Sequence, residues 1–430
     1  MFLIAHRPLH RGRMCPAEPT RVQPGTQSSQ EHSRPRKHRK GTSMTQALLS
    51  ARGADRLLAG GFGPPATGLA ADTIRLLGGV PADEALPTEE LADAFAAALK
   101  DPSALQYSVL PGIEPLRTWI GRREGVDASR VLVTNGALHA LNLIFDAVLE
   151  PGDIVAVESP TFPLALREAS YFGARFLPVP TSEGGLDLDV LEEHLRAGVR
   201  PKLFYVIPDF QNPTGSTLSA SARTRLTELA EQYGFLVVSD NPYKELRFEG
   251  EAVDDFDLSS DNVVRANTFS KTLGPGLRLG WIAAPQALIP ALSRIRSTQD
   301  QHTSLVTQTA VARLLNTDGE FDRIVDTARD LYRTRSAVLV DALERELPGQ
   351  LHITSPEGGI FLWLRVLDAS VDLADLQSRA RAGGVDFPLG RYFDPSGPTG
   401  YLHNARLGFS NRSADDLVEG ARRFAAAFGR

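Results

Sequence analysis

The sequence predicts an α/β fold with a mostly parallel central sheet, joined to a smaller α+β region. Three observations carry this. Between about residues 128 and 285, short β-rich runs alternate with amphipathic helical stretches. Polar residues able to do chemistry follow directly on several of those runs. Beyond about residue 288 the pattern changes to long helix and then a few strands. The 430 residues suffice for two domains, and 42% hydrophobic with 23% charged residues is the balance of a chain that buries a core.

The predicted strands are 130–134, 154–157, 203–207, 235–239, 263–266 and 279–283, rich in β-branched and aromatic residues. Helical patterns such as 137–149 and 221–233 lie between several of them, as parallel pairing requires. Sheets of this kind bind ligands beyond the carboxyl ends of their strands. A long helical pattern, about 288–346, then leads to a strand-like run at 358–364, a further helix and a second run at 405–410. No internal repeat is visible.

Charge is uneven along the chain. Residues 1–43 carry nine Lys/Arg and two Glu, a local +7, which leaves about −13 on the remainder of a chain whose net charge is −6. A body that acidic presents no basic face for nucleic acid. The tail is rich in Pro, Arg, Ser and Gln and is expected to be disordered, with Met44 as a plausible true start. Its basic run at 34–40 reads as a solvated tail, against the alternative of a nucleic-acid or import patch. The only cysteine, Cys15, lies there, so the body is expected to hold no disulfide and no thiolate metal site. No run approaches the ~18 apolar residues of a membrane span, and the simplest location is the cytoplasm.

The most informative segment is 267–281. It sets Lys271 among Thr268, Ser270 and Thr272, and supplies Arg278 seven positions later, past Gly274, Pro275 and Gly276. A lysine that forms a Schiff base needs an amine poised to lose its proton, which a nearby cation or desolvation provides. A phosphate-bearing cofactor needs short hydroxyl donors and an arginine fork. Both needs are met within fifteen residues, which points to pyridoxal phosphate anchored on Lys271.

Three further clusters agree in order and spacing. Val133-Thr134-Asn135-Gly136-Ala137 passes from strand into helix, a seat for phosphate at the positive helix end, though many such turns contain Asn-Gly. Asn212-Pro213-Thr214-Gly215 is a rigid turn able to present the Asn212 amide to a ring hydroxyl; alone it is a plain β-turn. Asp240 ends a strand, where a carboxylate can hold a pyridine nitrogen protonated, and Tyr243 follows three residues on; alone, Asp240-Asn241-Pro242 is a helix cap or turn. Gly274-Pro275-Gly276 and the glycines around Phe62 sit in no βαβ unit, so a Rossmann site is rejected.

With these residues the chain resembles the class I/II aminotransferases of the fold-type I pyridoxal phosphate superfamily, from about Gly78 to Phe409. Gly78-Gly79-Val80-Pro81, Ala104-Leu105-Gln106-Tyr107, Gln211-Asn212-Pro213-Thr214-Gly215 and the Lys271 segment look closest to the 2-aminoadipate and kynurenine aminotransferase branch and to the aminotransferase domains of GntR-type regulators. The resemblance implies transfer of an amino group from an L-amino acid to a 2-oxo acid, 2-oxoglutarate being the expected acceptor, by a ping-pong mechanism. Beyond the tail 1–43, it implies an arm with part of a small domain at 44–100, a cofactor-binding domain at 101–315 and a small domain at 316–430. Lys271 would hold the cofactor and shuttle the proton at the substrate Cα. Asp240 would pair with the ring nitrogen, Asn212 and Tyr243 with the ring oxygen, and Phe162 would stack on the ring. Gly136, Ala137, Leu138, Thr268, Ser270 and Arg278 would hold the phosphate, joined by Tyr107 from the partner of a homodimer. Arg406 would grip the α-carboxylate, against the alternative of a surface ion pair, and Gly79 would line the same pocket. No metal is implied.

The chain departs from its relatives at three places, one of which, Thr268 where serine is common, keeps the hydroxyl. Ala137 and Leu138 stand where Ser-Gln is common, removing two side-chain donors worth ~1 to 3 kcal/mol if unreplaced. Thr268, Ser270 and Arg278 are therefore expected to carry more of the phosphate. Asp209 replaces a neutral residue, and either attracts a basic substrate side chain or caps a turn without touching substrate. Two other functions remain open on sequence. A related pyridoxal phosphate reaction, such as elimination, decarboxylation, cyclisation or oxidation, shares the anchor residues. A ligand-sensing domain of a regulator would need a DNA-binding domain upstream, which a short Pro-rich tail is not.

Overall fold

Turn formers cut the apolar runs into strands, and the amphipathic stretches between them close into helices. The computed structural model describes Phe62, residues 66–182 and residues 185–429. The tail 1–43 with Cys15, Met44 and most of the glycine-rich stretch 60–63 lie outside the described residues. The elements begin with β1 (Ile74–Arg75), α1 (Thr88–Ala98), α2 (Glu114–Glu124), β2 (Val131–Thr134) and α3 (Ala137–Val148). They continue with β3 (Ile154–Ser159), α4 (Pro163–Ser170), β4 (Arg175–Ser182), β5 (Gly185–Leu186), α5 (Leu188–Arg196) and β6 (Leu203–Val206). Next come α6 (Ala220–Tyr233), β7 (Leu236–Asp240), β8 (Val263–Thr268) and β9 (Gly280–Ala283). The last part holds α7 (Ile289–Gln299), α8 (Leu305–Leu315), α9 (Glu320–Glu346), β10 (Leu351–Ile353), β11 (Phe361–Val366), α10 (Leu373–Ala382), β12 (Val385–Asp386), β13 (Asn404–Gly408) and α11 (Ala414–Ala426).

The large sheet runs β2-β9-β8-β7-β6-β3-β4-β5. Its middle, β8-β7-β6-β3-β4, is parallel, whereas β9 pairs antiparallel with β2 and β8, and β5 with β4. Alternate strand residues feed two separate cores. Leu203, Tyr205, Val238 and Val264 pack on one face, and Phe204, Val206, Val237 and Val263 on the other. Each such side chain contributes roughly 1.5 to 3 kcal/mol when fully buried. Covered on both faces, the sheet brings the carboxyl ends of β6, β7 and β8 to one edge.

β4 is absent from the sequence expectation because Pro178 and Pro180 argue against a strand. They are tolerated because they occupy alternate positions, so their missing N–H groups fall on one side, and along most of its length β4 pairs only with β3. The expected long helix at 288–346 is three helices. Gln301 and Gly319 adopt positive φ in the breaks, and Ser304 caps α8 through Thr307 N–H.

The C-terminal strands form the antiparallel sheet β10-β11-β13, with Arg406 opposite Trp363. β1 pairs in parallel with β12, and the chain then crosses β13 backbone to backbone: Gly408 N–H donates to Leu76 O at 2.9 Å. A Cβ on Gly408 would lie 2.1 Å from Gly78 Cα, so only glycine allows this crossing. It lays Gly78 and Gly79 over the carboxyl edge of the large sheet.

Candidate active site

The turn from β2 into α3 forms one end of the site. Gly136 caps α3 with φ +84° and no side-chain cap, leaving the first helical N–H groups open. A Cβ there would meet Arg278 Nη2 at 2.9 Å. Arg278 itself adopts φ +50°, and its Nη2 donates to Asn135 O at 3.0 Å. Thr268 Oγ1 shares a 2.8 Å hydrogen bond with Ser270 Oγ and accepts from Ser270 N–H at 3.1 Å. Two hydroxyls, a guanidinium and a helix N-terminus thus converge, with Ala137 and Leu138 lining the same cavity.

A buried brace behind this turn escaped the sequence reading. Arg296 is fully buried and donates to Val133 O, to Thr303 Oγ1 at 2.7 Å and to Asp300 Oδ1 at 3.0 Å. Asp300 Oδ2 accepts from Asn135 Nδ2, and His139 Nδ1 accepts from Asn135 N–H at 3.1 Å. Burial depresses the His139 pKa, which suits this acceptor role. Only the four-residue spacing of Arg296 and Asp300 on a helical pattern hinted at it.

Asp240 ends β7, 3% exposed. Its Oδ2 accepts from Tyr205 OH at 2.8 Å, while the buried Oδ1 has no partner. Burial pushes its pKa up to about 6, against the pull of the Tyr205 hydrogen bond and of Lys271. Tyr205 was legible as a strand residue but not as an anchor, because its partner lies 35 residues away. Tyr243 is also buried, and burial raises its phenol pKa although Arg406 opposes this.

Lys271 is half-buried, in the single turn after β8. Its Nζ donates to Gly79 O at 2.6 Å and lies 5.9 Å from the centre of the Tyr243 ring. Burial, then Arg406 and Arg278, bring its pKa down to about 8, although Asp240 pulls the other way. The amine that the sequence singled out is thus poised near neutrality.

Arg406, on β13, is 3% exposed and makes no ion pair among the described residues. Its Nη1 donates to Asn212 Oδ1 at 2.7 Å and Nη2 to Leu77 O at 2.7 Å, and the buried Nε has no partner. The rings of Phe361, Phe62 and Phe393 surround it at 4.2, 5.0 and 5.1 Å. Burial lowers its pKa to about 10. It is not the surface arginine weighed as an alternative.

In front of the Arg296 brace and the Tyr205 anchor lies one cavity of about 530 Å³. Lys271, Asp240, Asn212, Tyr243, Thr268, Ser270, Arg278, Ala137, Leu138, Phe162, Gly79 and Arg406 line it. Gly136 lies beneath the Arg278 guanidinium. Tyr107 does not line it; it is 85% exposed, with its ring edge-on to His302 at 6.0 Å. Asp209 also lies elsewhere, which leaves, of its two alternatives, the one without substrate contact. It is 3% exposed, pairs with Arg223 at 3.0 Å and accepts from Asn241 Nδ2 at 2.8 Å. Arg223 supplies the opposite charge from within the chain.

The donor set fits pyridoxal phosphate. The unpartnered Asp240 Oδ1 is a buried acceptor awaiting an N–H, the Gly136 turn has the open N–H groups and cations for a phosphate, and a poised amine lies beside them. Comparison with known proteins agrees. A family profile described as aminotransferase class I and II matches residues 71–379. A 2-aminoadipate transaminase of Thermus thermophilus is 35% identical over 386 residues, 85% of this chain and 96% of that protein. An aromatic-amino-acid aminotransferase of Thermococcus litoralis is 35% identical over 368 residues, 82% of this chain and 87% of that one. The crystal structure of the α-aminoadipate aminotransferase LysN from Thermus thermophilus, complexed with N-(5'-phosphopyridoxyl)-L-leucine, matches with a TM-score of 0.81 at 33% identity, over 90% of this chain and 98% of that one.

Proposed function

The chain belongs to the class I and II aminotransferases, pyridoxal phosphate enzymes of fold type I, and from that premise we propose how its own residues divide the work. Pyridoxal phosphate, when bound, supplies the carbonyl carbon that takes up the amino group and a ring that withdraws the electron pair left at the substrate Cα. Lys271 carries the cofactor covalently and moves the proton at Cα. Both tasks need a neutral amine, and a pKa of about 8 supplies one near physiological pH. Asp240 keeps a proton on the ring nitrogen through Oδ1, while Tyr205 fixes the carboxylate's orientation through Oδ2. Asn212 and Tyr243 hold the ring oxygen, and Phe162 lies against the ring.

Gly136, Ala137 and Leu138 offer backbone N–H groups to the phosphate, and Thr268, Ser270 and Arg278 offer side-chain donors. Arg406 holds the substrate α-carboxylate, its apolar surroundings strengthening the pair by excluding water. Gly79 lines the same pocket and steadies the Lys271 amine through its carbonyl. 2-Oxoglutarate is the acceptor in the second half of a ping-pong cycle. The working unit is a homodimer in which Tyr107, exposed on its own chain, reaches the partner's phosphate. Residues 101–315 form the cofactor-binding domain, 316–430 with part of 44–100 form the small domain, and the enzyme works in the cytoplasm.

The convergence of a depressed Lys271 amine and an unpartnered Asp240 oxygen in one cavity carries this reading. Lys271→Ala tests it. Turnover is expected to vanish, and borohydride is expected to fix the cofactor to the wild-type chain but not to the variant. Retained transamination in Lys271→Ala would overturn the mechanism.

A further inference from the structure

The phosphate seat of this chain is short of side-chain donors, because Ala137 and Leu138 bring only their backbone N–H groups to the start of α3. A backbone donor holds an anion well when it is already aimed, since a loose turn must first be ordered. The strength of such a seat therefore depends on how firmly the turn is held, and here it is held on three sides. On the sheet side, Thr134 pairs with Gly280 of β9. Within the turn, Thr134 Oγ1 donates to Gly136 O at 3.0 Å, and His139 Nδ1 accepts from Asn135 N–H at 3.1 Å. From behind, Asp300 stands one residue past α7 and accepts from Asn135 Nδ2, while Arg296 Nη1 donates to Val133 O.

Asn135 is the joint of this arrangement. Its N–H goes to His139, its carbonyl takes Arg278 Nη2 at 3.0 Å, and its side-chain amide goes to Asp300. Yet Asn135 is not among the residues that line the cavity, so whatever it contributes there passes through the turn. Asp300 in turn cannot swing freely, because Arg296 donates to both its oxygens, from Nε at 3.0 Å and from Nη2 at 3.2 Å. A buried ion pair of this kind could serve the fold alone. This one spends its remaining hydrogen bond on the residue that immediately precedes the Gly136 cap of α3.

We propose that Asn135, fixed from behind by Asp300 and Arg296, is a positioning residue for the cofactor. It aims the N–H groups of Gly136, Ala137 and Leu138 at the phosphate, and supplies through rigidity part of what the absent side-chain donors do not. The inference rests on the phosphate lying at this turn. It concerns how tightly the cofactor is retained, and leaves the chemistry at Lys271 untouched.

Asp300→Ala would strand the fully buried Arg296 and cost stability whatever its role, so the test is made at Asn135. Full-length protein freed of cofactor is titrated with pyridoxal phosphate, with pyridoxal, which lacks the phosphate, and with inorganic phosphate. Absorbance reads the first two and calorimetry the third. In Asn135→Ala the dissociation constant of pyridoxal phosphate is expected to rise about tenfold, the scale of losing one hydrogen bond to a charged group. That of inorganic phosphate is expected to rise by a similar factor, and that of pyridoxal to stay within twofold of wild type. A merely structural role would weaken pyridoxal and pyridoxal phosphate alike. Equal losses for the two, or a pyridoxal phosphate constant within twofold of wild type, would overturn the role of Asn135. Arg278→Ala separates the inference from its premise. If it leaves the binding of both pyridoxal phosphate and inorganic phosphate unchanged, the phosphate does not lie at this turn and both fail. If it weakens both while Asn135→Ala does not, only the role of Asn135 fails.

Discussion

Two lysines of the large sheet region lie under comparable cover and answer it in opposite ways. Lys244 donates to Glu124 Oε1 at 3.2 Å; burial alone would lower its pKa, but Glu124, Asp255 and Glu245 raise it on balance. Among the described residues Lys271 donates only to a backbone carbonyl, and burial with Arg406 brings it down to about 8. Burial sets the stakes and the neighbouring charges set the sign. The same contrast extends to whole clusters. Around Lys244, Glu124 also accepts from Arg265 at 3.0 Å and Trp281 at 3.1 Å, Asp255 lies 3.9 Å from Arg265, and Asp209 pairs with Arg223 at 3.0 Å. Each ionised group there has an opposite partner. Around Lys271, Asp240 Oδ1 and Arg406 Nε have none. Neighbouring residues mark the border: Asp240 lines the site, whereas Asn241 Nδ2 bridges Asp209 and Asp255 at 2.8 and 2.9 Å, its neutral Oδ1 alone being left without a partner. A satisfied cluster holds the fold together, and an unsatisfied one waits for a ligand.

Substitutions on either side of that border should fail differently. Asp240→Asn keeps the shape and the place of the Tyr205 contact but removes the charge that keeps a proton on the ring nitrogen. Turnover is expected to fall by about 10² to 10³, the scale of losing one preorganised electrostatic partner, with a thermal midpoint equal to or above wild type. An Asp240→Asn enzyme within threefold of wild-type kcat would sink the assigned role. Glu124→Gln takes the nearest carboxylate from Arg265 and Lys244 and leaves Asp255 to offset both, so unfolding free energy is expected to drop by about 1 to 3 kcal/mol in denaturant titration. Its turnover, measured where it remains folded, should change only a few-fold. A large loss of kcat without loss of stability would show that the Lys244 cluster takes part in the reaction.

Only the Lys271 side of this division was legible in the sequence, and its limits have physical causes. Lys271, Asp240 and Asn212 lie at or after the carboxyl ends of parallel strands, and Arg278 just before the antiparallel β9, so local pattern alone brings them to one edge of the sheet. Arg406 required a distant strand, β13, and could be placed only by resemblance; its burial among three aromatic rings has no local signature. For Asp209 the alternative without substrate contact fits the structure, but its partner, Arg223, lies fourteen residues on in a helix, and sequence spacing does not report which charges meet. The Arg296 brace and the Tyr205 anchor were missed for the same reason. β4 was missed because strand propensity penalises proline without knowing that one side of the strand is open.

The two lysines also differ in how they titrate, which gives a gentler test. The folded pKa of Lys271 lies below its ordinary 10.5, so the stability it contributes is fully present above pH 10.5 and is lost as pH falls through about 8. Lys244, raised, works in the reverse sense: its contribution is present below its unfolded pKa and is lost as pH rises through the folded one. In cofactor-free protein, an amine-selective reagent followed by peptide mapping reads this directly. Labelling of Lys271 is expected to rise about tenfold from pH 7 to pH 9 and then level off, since the neutral fraction follows a pKa near 8. Lys244 should remain unlabelled over that range. Parallel pH profiles for the two side chains would show that burial alone governs both, and the distinction between a satisfied cluster and a waiting one would lose its chemical basis.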